Sequence, residues 1–219
     1  MKKFIYENGL SLTLLVVTVL TLGGNLLTGW HELNNELEEY RRPALAFGQY
    51  LGSGHCIESV FENWESEFLQ MGLYVWLTVF LRQKGSSESK DLEKKEKVDR
   101  EPSASRQGAP WPVRHGGWIL GLYKNSLSLA LFSLFVLTFF IHAAGGAKQH
   151  NLEQELKGNV ERLSLGEFMG TSEFWFQSLQ NWQSEFLSVW TIVVFSIFLR
   201  QKGSPQSKPV DAPDDETGA

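Results

Sequence analysis

The sequence contains a single cysteine and no excess of positive charge. One cysteine, Cys56, excludes an intrachain disulfide and leaves the redox compartment undetermined. The formal net charge of −5 belongs to polar loops and tails, so it offers no basic surface to nucleic acid. We therefore expect no nucleic-acid partner.

Signatures of catalysis and metal binding are also missing. The chain has no Gly-x-Ser-x-Gly, no phosphate-binding loop, no His-Glu-x-x-His and no cysteine pair. Its histidines are too scattered for a metal-ligand template. The dispersed candidates are His31, Glu32, Glu36 and His55 in one half, and His150 and Glu153 in the other. The sequence therefore predicts neither an enzyme nor a cofactor or metal.

An internal repeat is the most informative feature that is present. Residues 63–69, Asn-Trp-Glu-Ser-Glu-Phe-Leu, recur at 181–187 as Asn-Trp-Gln-Ser-Glu-Phe-Leu. Residues 82–86, Arg-Gln-Lys-Gly-Ser, recur at 200–204. Both pairs are 118 positions apart, which indicates one unit present twice.

Each copy of the repeat carries a long uncharged stretch. Residues 10–27 contain no charged side chain, and neither do residues 125–147. Both are long enough to cross a hydrocarbon core of about 30 Å at about 1.5 Å per residue. The first is too long for the core of a signal peptide, and the second lies in mid-chain, so we interpret both as retained membrane helices.

The repeat predicts four membrane-spanning helices. The first is expected over residues 9–30 and the third over residues 120–147. The second and fourth should end at Leu81 and Leu199. There the following Arg-Gln-Lys-Gly supplies cations for the last carbonyls and a glycine for a left-handed cap.

The second and fourth spans must include a carboxylate. Residues 68–81 cover only about 21 Å, which is too short to cross the bilayer. The second helix should therefore extend back through Glu67, Trp64 and Val60, and the fourth through Glu185. This extension places an acidic side chain of each copy below the membrane surface.

Depth along the helices predicts an outward-facing polar cluster. Glu67 and His142 fall at similar depths in the outer part of the bilayer, so they can converge in a hydrated vestibule. Paired carboxylates there would bind a cation or a proton, with His142 as the titrating neighbour. The full predicted site comprises Glu67, Glu185, His142, Asn25, Asn63 and Asn181. Alternatively, the two glutamates only mark where each helix leaves the membrane.

Basic and aromatic residues near the span ends predict the orientation. Lysine and arginine accompany both termini and the central linker, which makes these segments cytoplasmic and residues 31–59 and 148–177 external. Trp64 and Trp182 are expected to anchor the outer interface. The inner anchors, which are also candidate contacts for an anionic lipid, are Arg82, Lys84, Arg200 and Lys202.

Composition divides the chain into four segments. Two two-span repeats cover residues 1–85 and 118–204. Residues 86–117 form a charged linker with too few apolar residues to fold alone, and residues 205–219 are expected to be a disordered tail.

The outer loops are expected to be more ordered. Glycines at 48–53 and 166–171 predict tight turns, with Ser53 and Thr171 available to cap the returning helices. Residues 31–40 and 151–157 are expected to form separate short outer helices, the first of them stopped by Pro43.

Two duplicated motifs carry a family resemblance. Asn-Trp-x-Ser-Glu-Phe-Leu, followed by Arg-Gln-Lys-Gly-Ser-x-x-Ser-Lys at 82–90 and 200–208, resembles a family of bacterial four-span membrane proteins catalogued as a domain of unknown function. The resemblance implies a location in the bacterial inner membrane. It implies no activity, substrate or cofactor.

Together these patterns predict an all-α integral membrane four-helix bundle. Two duplicated hairpins would repeat in parallel about an axis along the membrane normal. The first functional hypothesis is a small channel or proton/cation transporter-like protein in the lipid bilayer, with homo-oligomerisation helping to build a pore. The alternative is a non-catalytic structural or envelope-stress protein that acts through its loops or linker.

Overall fold

The computed structural model describes residues 2–218, and within this range every regular element is helical. The all-α class predicted from the sequence is therefore confirmed. In chain order the helices are α1 (Lys2–Glu39), α2 (Phe47–Tyr50), α3 (Gly54–Phe80), α4 (Trp111–His115), α5 (Gly117–Lys124), α6 (Ser126–Leu156), α7 (Leu165–Phe168) and α8 (Ser172–Phe198). A short 3-10 helix covers Lys97–Asp99.

The second and fourth apolar segments belong to long helices. α3 continues back past Val60 to Gly54, and α8 begins at Ser172. The extension inferred from the shortness of residues 68–81 is therefore confirmed. Both helices end one residue before the position that the Arg-Gln-Lys-Gly segments predict.

The prediction of two separate short outer helices is wrong. Residues 31–39 continue α1 and residues 151–156 continue α6. No glycine or proline interrupts either segment. Leu33 and Leu37, which are four residues apart on one face, are both buried, so packing favours continuation of α1 beyond its apolar stretch.

An asparagine interrupts the helical backbone near the start of each apolar helix. Asn8 in α1 has φ −123° and ψ 16°, and Asn125, between α5 and α6, has φ −114° and ψ 8°. Each side-chain amide donates to the carbonyl four residues earlier, at 2.9 and 3.0 Å respectively. The third span therefore does not run unbroken from residue 120, because α6 starts only at Ser126.

The predicted N-terminal caps of α3 and α8 are confirmed. The hydroxyls of Ser53 and Thr171 accept hydrogen bonds from the backbone N–H three residues later, at 3.1 and 3.3 Å. Gly85 and Gly203 have φ of +84° and +85°, the left-handed conformation that favours glycine, but they lie in turns five residues beyond the last residues of α3 and α8. The prediction that they cap these helices is therefore wrong, because each helix ends before its Arg-Gln-Lys-Gly segment begins.

The chain forms two compact units, and each unit draws residues from both halves of the sequence. The described part of the first unit contains residues 2–64 and 138–177. That of the second contains residues 65–137 and 178–218. The helices α3, α6 and α8 each contribute residues to both units.

The first unit has two apolar clusters. One is built on buried Leu33, Leu37, Tyr50 and Cys56, and the other on buried Ala143, Ala147, Phe168 and Phe174. Tyr50 and Phe168 come from the one-turn helices α2 and α7, and both side chains are fully buried. These aromatic side chains therefore fix the short turns on the long helices.

Side-chain amides hold the loops that precede α2 and α7. The amide of Asn34 bonds both backbone groups of Leu45, at 2.7 Å to its N–H and 3.1 Å to its carbonyl. Asn151 bonds both backbone groups of Leu163 in the same way, each at 2.8 Å. Each loop thus gains the backbone partners that it would have in a regular element.

Two helices in the described part of the chain, α1 and α6, are long and apolar enough to cross a membrane. No residue in the most apolar stretch of α1 is buried, and only 17 % of that of α6 is. The core helix of a soluble protein would bury such a stretch. α3 and α8, which carry carboxylates in their N-terminal halves, do not reach the same level of apolarity.

Gly145 permits a close approach of α6 to α3. A Cβ added here would lie 2.6 Å from the backbone nitrogen of Glu58 and 2.8 Å from Cγ2 of Ile57. We expect Gly145→Ala to lower the free energy of unfolding by about 1–3 kcal/mol, because backbone must move to make room. Gly23→Ala, in open space on α1, is the matched control. Denaturant unfolding in detergent measures both, and equal stability would contradict the close approach.

Candidate functional site

A buried carboxylate near the start of α3 anchors a polar chain in the first unit. Glu58 is 9 % exposed, and its Oε1 accepts a 2.6 Å hydrogen bond from Nε2 of Gln177 on α8. The Oε1 of the same amide lies 3.3 Å from Nε2 of His142 on α6, which is fully buried. Three helices thus contribute one side chain each to this chain of carboxylate, amide and imidazole, which we call the outer polar chain.

The orientation of the amide fixes a proton on the imidazole. Because Gln177 gives an N–H to Glu58, its carbonyl oxygen faces His142 and can only accept. His142 therefore donates through Nε2 whether the ring is neutral or charged. The ring of Phe174 lies 5.1 Å from that of His142, centroid to centroid, and helps to enclose it.

Small residues bring the helices close enough for these contacts. Gly145 faces the backbone of α3, and Gly54 faces the backbone of Gln149 on α6. A Cβ at either position would strike backbone atoms of the other helix. Such close packing at small residues is typical of membrane helices.

Burial raises the pKa of Glu58 to about 7. The hydrogen bond from Gln177 and the proximity of His142 oppose this increase, whereas Glu62 and Glu173 add to it. About 20 helical residues are needed to cross the hydrocarbon core, and counted back from Leu81 these are residues 62–81. Glu58 lies four residues before that stretch, at the outer end of α3. A carboxyl group with such a pKa can gain or lose a proton near neutral pH.

The second unit buries other polar groups between α3 and α8. Glu65 is fully buried and accepts a 2.9 Å hydrogen bond from the indole Nε1 of Trp182. Further along α3, Nε2 of Gln70 donates to the backbone oxygen of Glu185 at 2.9 Å and to Oγ of Ser188 at 3.0 Å. The paired residues are 115 to 118 positions apart, close to the offset of the sequence repeat.

The structure brings some residues of the predicted polar cluster together. Glu67 is exposed and Glu185 is half-buried, and the two carboxylates are near enough to interact electrostatically. His142 lies with Gln177 and Glu58, in the other unit. The predicted cluster is thus divided between the two units.

The three predicted asparagines have different surroundings. Asn25 is exposed on α1, and Asn63 is exposed on α3, where its Nδ2 donates to the backbone oxygen of Ser59 at 2.8 Å. Asn181 is half-buried on α8.

The predicted aromatic anchors differ from each other. Trp64 is exposed and packs edge-on against Phe61, with ring centroids 5.3 Å apart. Trp182, by contrast, places its indole N–H on Glu65 and its ring against Phe135 at 6.1 Å. Trp182 therefore satisfies a buried carboxylate.

The predicted basic anchors follow the helix ends. Nη1 of Arg82 and Nη1 of Arg200 donate to the carbonyl three residues earlier, at 3.2 and 3.0 Å. Such bonds satisfy carbonyls that have no partner inside the helix. Lys84 lies 3.8 Å from the carboxylate of Asp215, and Lys202 is exposed.

Sequence reasoning missed Glu58, Glu65 and Gln177. It selected acidic residues that match between the copies, and the positions equivalent to Glu58 and Glu65 hold Phe176 and Gln183. The available signal was helical spacing. Glu58, Glu62, Glu65 and Ser66 share one face of α3, and Glu67, two residues on, lies about 200° from Glu65 around the helix.

Histidine–carboxylate pairs also occur outside the outer polar chain. Nε2 of His55 lies 3.8 Å from Glu32, and Nδ1 of His150 lies 2.8 Å from Glu173. Across residues 2–218, no three histidine, cysteine or acidic side chains are grouped so that they could hold a metal ion.

The features described so far define an all-helical protein with two helices able to cross a membrane and buried polar contacts between its helices. The whole chain, residues 1–219, matches the family described as Domain of unknown function (DUF6766), and the protein belongs to that family. The predicted resemblance to a domain of unknown function is therefore confirmed. No curated protein and no solved structure matches the chain.

The raised pKa of Glu58 makes stability depend on pH. Since its native pKa of about 7 exceeds the ordinary 4.5, the folded state holds this proton more tightly than the unfolded chain. The resulting stabilisation is complete below pH 4.5, declines as pH rises, and is lost above about pH 7. Its size is at most about 3 kcal/mol.

Thermal unfolding in detergent between pH 4.5 and 7.5 checks this. We expect the stability of the wild type to fall with pH relative to that of Glu58→Gln, which cannot ionise. Glu161→Gln, at an exposed loop position, makes the same chemical change and should follow the wild type. Parallel curves for the wild type and Glu58→Gln would contradict the prediction.

Proposed function

We propose that this protein is a multi-pass membrane protein made of two homologous hairpins inserted in the same direction. α1 and α3 would form one hairpin, and α6 and α8 the other. The contacts between α3 and α8 support this arrangement. Three of them join side chains separated by 117 to 119 positions, namely Glu65–Trp182, Gln70–Ser188 and Glu58–Gln177. Parallel copies around a shared axis bring equivalent residues together in this way.

Corresponding positions of the two copies also adopt the same local structures. An asparagine breaks each apolar helix, another asparagine bridges each outer loop, and a hydroxyl caps each returning helix. The pairs are Asn8 and Asn125, Asn34 and Asn151, and Ser53 and Thr171. A duplicated unit that folds twice in the same way accounts for all three.

The proposed location is the bacterial inner membrane, with both termini and the linker in the cytoplasm. The uncovered apolar stretches of α1 and α6 support insertion into lipid. The lysines and arginines that follow α3 and α8 support the orientation, because such residues are enriched on the cytoplasmic side. Since four spans enclose little interior, a homo-oligomer would help to complete a pathway.

Within this frame we propose a small channel or a transporter-like protein for protons or cations. The outer polar chain is the observation that carries the proposal. A buried ionisable group is costly and is typical of functional sites, and at the outer end of α3 Glu58 lies where a proton pathway would open to the outside. Glu58 is the proton acceptor in this proposal, and His142, which is linked to it through Gln177, is the second titrating group.

A second acidic site in the second unit is proposed for Glu67 and Glu185. Two neighbouring carboxylates repel each other when both are ionised, so a shared proton or a bound cation stabilises the pair. The electrostatic interaction between these two side chains supports this role.

Flux through reconstituted liposomes tests the proposal. With a pH-sensitive dye inside and a potassium diffusion potential across the membrane, wild-type protein should admit protons faster than empty liposomes. Flux of other cations can be measured in the same vesicles by using each of them in place of potassium. We expect Glu58→Gln to reduce proton flux to the background, because its amide cannot exchange a proton. Glu67→Gln/Glu185→Gln should lower proton or cation flux.

Glu161→Gln is the matched control, and its flux should equal that of the wild type. Folding of each variant is checked by its helical circular dichroism. Flux that is absent in the wild type, or unchanged in both carboxylate variants, would contradict the proposal. That result would favour a structural membrane protein acting through its loops or linker.

A further inference from the structure

The C-terminal segment 211–218 is strongly acidic and contacts the basic segments that follow α3 and α8. Four of its first six residues are acidic, namely Asp211, Asp214, Asp215 and Glu216. The basic segments are the two copies of Arg-Gln-Lys-Gly-Ser, residues 82–86 and 200–204. All of these residues belong to the second unit. We call residues 211–218 the acidic tail.

The acidic tail surrounds two cations of the second copy. Nη2 of Arg200 donates to the backbone oxygen of Ala212 at 2.9 Å and to Oδ1 of Asp214 at 3.0 Å. Nζ of Lys208 donates to three backbone oxygens, each at 3.0 Å, and only 1 % of this residue is exposed. These three oxygens belong to Pro213, Asp214 and Glu216.

The same tail reaches the first copy. The carboxylate of Asp215 lies 3.8 Å from Nζ of Lys84. The N–H of Gly85 donates to Oγ1 of Thr217 at 2.8 Å, and the N–H of Gly218 donates to the carbonyl of Ser86 at 3.0 Å. A Cβ on Gly85 would strike the backbone oxygen of Asp214, so this glycine gives the tail room to approach.

One nitrogen of the Arg200 guanidinium has no hydrogen-bond partner in this arrangement. Nε of Arg200 is buried and has no hydrogen-bond partner, although Nη1 and Nη2 are both occupied. Arginine binds phosphate through two parallel hydrogen bonds from neighbouring nitrogens. A phosphate on the Nε–Nη2 edge would therefore satisfy the group that the tail leaves unpaired.

We propose that Arg200, Lys84 and Lys208 form a site for the phosphate group of an anionic phospholipid, and that the acidic tail is its intramolecular competitor. The tail offers these cations carboxylate and carbonyl oxygens, the same type of partner that a phosphate offers. The inference rests on the proposed insertion, which brings the ends of α3 and α8 to the cytoplasmic headgroups. Anionic lipids at that surface attract such basic clusters.

Lipid retention by the full chain tests the competition. The protein is placed in nanodiscs of phosphatidylcholine with phosphatidylglycerol, and native mass spectrometry counts the phosphatidylglycerol that remains bound. We expect Asp214→Asn/Asp215→Asn/Glu216→Gln to retain severalfold more than the wild type, because the tail keeps its backbone oxygens but loses the carboxylates that pair with Arg200 and Lys84. Adding Lys84→Gln, at an exposed position, should reduce that gain, and adding Arg200→Gln should abolish it.

A variant with the same change in net charge is the control. Glu93→Gln/Glu101→Gln/Glu161→Gln neutralises three acids outside the acidic tail and should retain lipid like the wild type. Equal retention by the tail variant and the wild type would overturn the proposal. So would an equal gain in the control, because charge alone would then explain it. These outcomes do not depend on ion flux, so they are separable from failure of the proposed transport.

Amide hydrogen exchange of residues 211–218 identifies the source of the phosphate. We expect faster exchange in nanodiscs that contain phosphatidylglycerol than in phosphatidylcholine alone, because headgroups displace the tail. Inorganic phosphate added to phosphatidylcholine nanodiscs should leave exchange slow. If it releases the tail equally well, a lipid headgroup is not the competitor.

Discussion

Hydrogen bonds between α3 and α8 are the contacts on which the rest of the structure depends. In the first unit Gln177 bonds Glu58, and in the second unit Trp182 bonds Glu65 and Gln70 bonds Ser188. Each contact gives a partner to a buried polar group that would otherwise cost about 1–3 kcal/mol, and more if it is charged. A slip of one residue along α8 would break all three contacts at once. The register of the two helices is therefore fixed by polar chemistry as well as by apolar packing.

The pairing of α3 with α8 positions both the outer polar chain and the proposed phospholipid site. In the first unit it presents Gln177 to Glu58, and the amide then faces His142. In the second unit the hydroxyls of Ser86 and Ser196 lie 2.8 Å apart, so the chain leaving α3 is held against the end of α8. This contact brings the two Arg-Gln-Lys-Gly-Ser segments within reach of one tail. Proton binding and lipid binding, as proposed, thus both follow from how α3 and α8 pair.

Local chemistry explains which parts of the fold could be predicted. The left-handed backbone of Gly85 and the cap at Ser53 depend only on the residue itself or on the next turn of the chain. The extension of α3 follows from the length of its apolar part. The polar chain of Glu58 was not predictable in this way, because the face that α3 buries depends on its partners. The repeat directed attention to Glu67, whereas burial selected Glu58 and Glu65. The turns of the acidic tail depend on Arg200 and Lys208, which bind it from outside the segment.

The parallel pairing of α3 and α8 is tested most directly by a disulfide between the segment that follows α3 and the C-terminal end of α8. In a Cys56→Ser background, Ser86→Cys/Ser196→Cys should oxidise readily in native membranes, because the two hydroxyls are in hydrogen-bond contact. Ser86→Cys/Ser172→Cys is the control, since Ser172 starts α8 and lies about 36 Å from Ser196 along the helix. We expect a cross-link in the first variant alone. No cross-link there, or preferential cross-linking to position 172, would contradict the parallel arrangement.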